Sequence, residues 1–84
     1  MTRKRFIKLL MGNYYMGRNL ATEMAETCRQ KCQPYKLALH EYEQIIQKMA
    51  EALNIPADVL KHPQNGESKA WRIFRKTLRG GANQ

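Results

Sequence analysis

The chain has 84 residues, with 15 Lys and Arg against 7 Asp and Glu, a formal charge of +8 and 43% hydrophobic residues. The length suits one small domain, residues 1–84, and argues against a large enzyme with a deep cleft. The hydrophobic share excludes a disordered chain, and no apolar run approaches the roughly 20 residues of a membrane span.

The sequence predicts an all-α bundle of four to five short helices, at about 3–11, 18–33, 35–53, 56–61 and 67–79. Apolar residues recur at helical spacing, and no stretch alternates as a strand would. In the first helix Thr2 is the expected N-cap and Phe6, Ile7 and Leu10 the inward face. Gly12 and Asn13 are expected to stop it, since both tolerate a left-handed backbone. Tyr14, Tyr15 and Met16 form a short apolar connection, in which the two tyrosines cannot both face inward. The second helix starts at Gly17 or Asn19 and carries the stripe Leu20, Ala21, Met24, Ala25, Cys28 and Cys32.

Pro34 opens the third helix, whose inward series is Tyr35, Ala38, Leu39, Tyr42, Ile45, Ile46, Met49 and Leu53. Asn54 closes it, Pro56 starts a short helical turn, and Pro63 with Asn65-Gly66 makes a loop. On the last helix Ala70, Trp71, Phe74 and Leu78 face inward, and Arg72, Arg75, Lys76 and Arg79 centre on the opposite side. Residues 80–84 read as a loose tail.

The charge is unevenly placed. Arg3, Lys4, Arg5, Lys8 and Arg18 leave residues 1–19 at +5 with no acid. Lys69, Arg72, Arg75, Lys76 and Arg79 against Glu67 leave residues 67–84 at +4, around a middle at −1. Two basic ends around a near-neutral body suggest a polyanionic partner. The expected function is nucleic-acid binding, with duplex DNA favoured, by a regulator or accessory factor. Arg3, Lys4, Arg5, Lys8, Lys69, Arg72, Arg75, Lys76 and Arg79 would neutralise phosphates. The first two helices are compatible with a helix-turn-helix or a plain αα-hairpin. In the former, Arg18, Asn19 and Thr22 would be the base readers, while Glu23 and Glu26 would repel a phosphate surface. The rival expectation is a protein-interaction module that binds or inhibits a larger protein, for which an exposed patch at Tyr14, Tyr15 and Met16 would speak.

No catalytic constellation is read: no paired carboxylates on one face, no Gly-rich phosphate loop and no nucleophile motif. Cys28 and Cys32 share a helix face, but the spacing C-x3-C-x7-H-x21-H to His40 and His62 follows no zinc pattern, so no metal or cofactor is expected. The run from Arg3 to Met11 is broken by Lys8 and followed by no cleavage pattern, so a cytoplasmic, unprocessed chain without membrane attachment is expected.

Two partial resemblances bear on the reading. Residues 45–60, Ile45-Ile46-Gln47-Lys48-Met49-Ala50-Glu51-Ala52-Leu53-Asn54-Ile55-Pro56-Ala57-Asp58-Val59-Leu60, are similar to the closing helices of Cro/phage-repressor-type helix-turn-helix domains. That resemblance covers a packing element. The Gln and paired Leu-Ala pattern that opens the family's recognition unit is missing upstream, so no base-contacting residue carries over. Arg3 to Met11, with Arg18-Asn19 and Ala21, resembles short uncharacterised proteins of bacterial prophages and integrative elements. This implies an accessory role in a mobile element.

Overall fold

Thr2 opens the chain's first helix as the sequence predicts: its Oγ1 accepts the Arg5 N–H at 3.2 Å. The computed structural model describes residues 1–62 and 68–79. In them lie five helices and no strand: α1 (Arg3–Asn13), α2 (Arg18–Gln30), α3 (Tyr35–Leu53), α4 (Ala57–Leu60) and α5 (Lys69–Leu78). The expected loop residues Pro63, Asn65 and Gly66, the expected helix start at Glu67 and the tail 80–84 lie outside the described residues.

Three helix ends are made by residues with a left-handed backbone, and two of them differ from expectation. α1 runs through Gly12 and Asn13; the turn falls instead at Tyr15, at φ 56°. Tyr14 and Met16 are both only 3% exposed, and their N–H groups both bond to the Leu10 carbonyl, at 3.2 and 3.1 Å. Anchored on both sides, the chain turns Tyr15 outward, where its ring stacks on His62.

α2 stops at Gln30, short of the expected residue 33. The Cys32 N–H bonds to the Arg29 carbonyl at 3.0 Å and the Gln33 N–H to the Cys28 carbonyl at 2.7 Å. This pair of bonds is a Schellman cap, with Cys32 in the left-handed position at φ 54°. Cys32 is therefore exposed and off the stripe assigned to it, whereas Cys28 is fully buried. The same cap closes α3 where Asn54 was expected to close it. Asn54 sits at φ 56° and ψ 45°, and the Ile55 N–H bonds to the Ala50 carbonyl at 3.0 Å. Leu53, expected inside, is 48% exposed, because the last turn of α3 runs past the core.

One cluster of buried side chains joins the helices. Trp71, Tyr42, Phe6, Phe74, Leu10 and Met24 are its largest members, each nearly or wholly removed from water. The Tyr42 ring meets Phe74 and Tyr14 edge-on, at 5.6 and 5.7 Å between centroids. Its hydroxyl is 3.3 Å from the hydroxyl of Ser68, the N-cap of α5. Tyr14 donates its own hydroxyl proton to the Glu43 carboxylate, and Lys61 stands 5.3 Å over the Tyr14 ring. α2 packs against α1, α5 and α3, while α3 also packs against α4 and α5. α2 is thus in contact with both helices that carry the basic ends. No helix among the described residues is long and apolar enough to cross a membrane.

Candidate nucleic-acid interface

α2 buries Leu20, Ala21, Met24, Ala25 and Cys28, so its other side must face water. That side forms a shallow surface concavity of about 480 Å³, lined only by polar residues: Arg18, Asn19, Thr22, Glu23, Glu26, Thr27 and Gln30. Arg18 and Asn19 are exposed and Thr22 is half-buried. At 3.6 residues per turn, Asn19 stands opposite the Met24/Cys28 stripe. All three expected base readers therefore share this face.

Each basic end sends one arginine onto the same face. Arg3 of α1 reaches the Glu26 carboxylate at 3.4 Å, and Arg29 lies 3.9 Å from its other oxygen. Arg75 of α5 pairs with Glu23 one turn away and covers the Trp71 ring at 5.6 Å. These contacts split the expected cation groups. Arg3 and Arg75 turn inward to α2, and Arg75 is half-buried, so it leaves the outward set to which the helical wheel assigned it. Lys4, Arg5 and Lys8 are exposed on the outer face of α1, opposite Phe6 and Leu10. Lys69, Arg72 and Lys76 are exposed on the outer face of α5, opposite Trp71 and Phe74, and Arg79 is exposed just past its end. Neither helix contains an acidic residue.

Glu23 and Glu26, read from the sequence as obstacles, each carry a guanidinium partner. The sequence holds no local signal for two of these pairs, whose members are 23 and 52 residues apart. Gln30 on the same face was likewise missed; it follows from the helical register once the buried stripe is known.

The other expected groups fall elsewhere. Of Tyr14, Tyr15 and Met16, only Tyr15 is exposed, so the apolar patch looked for there is not assembled. The Cys28 thiol is pushed up to about 11, first by burial and then by the Glu41 carboxylate. His40 lies exposed beside Gln44, with 3.2 Å between their nitrogens. No group of three or more His, Cys, Asp or Glu is placed to hold a metal ion among the described residues.

Fold and site together define a small all-α bundle with a polar face on α2 that an arginine from each basic end reaches. Compared with known proteins, the chain matches no family model, no curated protein and no solved structure.

Proposed function

We propose that the protein binds nucleic acid, duplex DNA in particular, as a small regulator or accessory factor. The observation that carries this reading is the pair of acid-free helices that both pack against α2. Solvated helix faces ordinarily mix signs, because like charges at i,i+4 repel and opposite ones attract. Lys4, Arg5 and Lys8 on α1 and Lys69, Arg72 and Lys76 on α5, with Arg79 just past its end, break that rule on two separate elements. Buried Phe6 and Leu10 under one face, and Trp71 and Phe74 under the other, hold the helices that present these cations. Phosphates answer such an arrangement, because each neutralised phosphate releases condensed counterions.

The test is fluorescence anisotropy of a labelled random duplex across a salt series. Four to six phosphate contacts give a log–log slope of about −4 to −5. Lys69→Ala with Lys76→Ala should flatten the slope by about 2, since both residues are exposed and neither supports the core. Absence of binding at low salt would overturn the reading and turn attention to an acidic protein surface as the partner.

A further inference from the structure

We infer that the outward face of α2 reads base edges in the major groove of duplex DNA, with Arg18 taking a guanine and Asn19 an adjacent adenine. This rests on the nucleic-acid reading above and adds sequence discrimination to it.

The face has the chemistry that base edges require. Arg18 offers the forked donors that match guanine O6 and N7, and the Asn19 amide offers the donor and acceptor that match adenine N7 and N6. Both are exposed, and both lie in the first turn of α2, the part of a reading helix that meets base edges. Gly17, which precedes them, has no side chain to stand in the way, and a Cβ there would meet nothing within 4 Å. Thr22, one turn after Arg18, brings a methyl group that suits a thymine methyl.

The surroundings fit the same occupant. α1 and α5 both pack against α2, and packed helices lie about 8–10 Å apart, so their cations stand about one helix width from it. A major groove about 12 Å wide carries a phosphate strand on each edge. On this inference the cations of α1 and α5 meet phosphates beside the groove while the outward face of α2 enters it. The two carboxylates on this face do not present bare negative charge to the phosphates. Arg75 holds Glu23, and Arg3 and Arg29 flank Glu26. An acidic protein partner would answer the cations too, but binding to it would carry no dependence on base sequence.

The experiment selects duplexes from a random-sequence pool with the full chain, then compares the selected duplex with a scrambled one by anisotropy at fixed salt. Two bidentate contacts, each worth roughly tenfold, give a preference of about a hundredfold. Asn19→Ala and the near-isosteric Asn19→Asp should each cut that preference about tenfold at the adenine. Asn19→Ala, which leaves the charge unchanged, should bind the scrambled duplex as the parent does, and helix content by circular dichroism should match the parent. Arg18→Ala should relax the guanine in the same way. A pool that yields no consensus, or a consensus whose preference survives both Arg18→Ala and Asn19→Ala, would overturn base reading by this face while salt-dependent binding stands. Failure to bind any duplex would overturn both this inference and the reading beneath it.

Discussion

Two cysteines four residues apart have opposite fates, and the cause is one backbone angle. Cys28 continues the α2 stripe and is buried; Cys32 takes the left-handed position of the cap and is exposed. A thiol reagent at neutral pH should therefore modify one cysteine in the folded protein and two after denaturation, because burial keeps Cys28 protonated and shielded. Two fast thiols in the native protein would refute this placement. Cys32 also carries strain, since a left-handed backbone costs an L-residue about 1–2 kcal/mol. Glycine removes that cost but regains freedom when unfolded, which takes back about 0.4–1 kcal/mol. Cys32→Gly should then raise the urea midpoint, by a net gain on the order of 0.5–1 kcal/mol. Asn54 was legible as a helix end because asparagine suits that conformation. Tyr15 was not, because its turn is set by the burial of Tyr14 and Met16 on either side. Cys32 was not, because a cysteine carries no local preference for the left-handed cap position.

At the scale of elements, helical spacing located all five helices, because apolar stripes at 3.6-residue spacing depend only on sequence order. The errors sit at ends. Cys32 and Leu53 continue their stripes in register, yet the helix stops before the first and the core stops before the second. α5 shows how much rests on one end. The Ser68 hydroxyl accepts the Trp71 N–H at 3.1 Å and also meets the Tyr42 hydroxyl, in a place only 6% exposed. Ser68→Ala removes the cap and leaves a buried phenol without that neighbour. It should cost about 1–2 kcal/mol in chemical denaturation. A change within a few tenths would mean that α5 does not depend on this cap.

For the molecule as a whole, the uneven charge was plain in the sequence, but the contact of α2 with both basic ends was not. Arg3 and Glu26, and Glu23 and Arg75, come together only through tertiary packing. These pairs are partly exposed, so each should contribute at most about 1 kcal/mol to stability. On the nucleic-acid reading proposed above, their larger effect concerns which cations phosphates could recruit. While Arg3 and Arg75 are held by carboxylates, a phosphate must compete for them. Glu23→Gln with Glu26→Gln removes the competitors and two negative charges from the face of α2. The double variant should unfold within about 1 kcal/mol per site of the parent. It should bind random duplex more tightly, with a log–log salt slope steeper by about 1–2. Parallel salt series for the two proteins decide the matter. A steeper slope places the two arginines among the phosphate contacts, whereas an unchanged slope confines those contacts to the outer faces of α1 and α5.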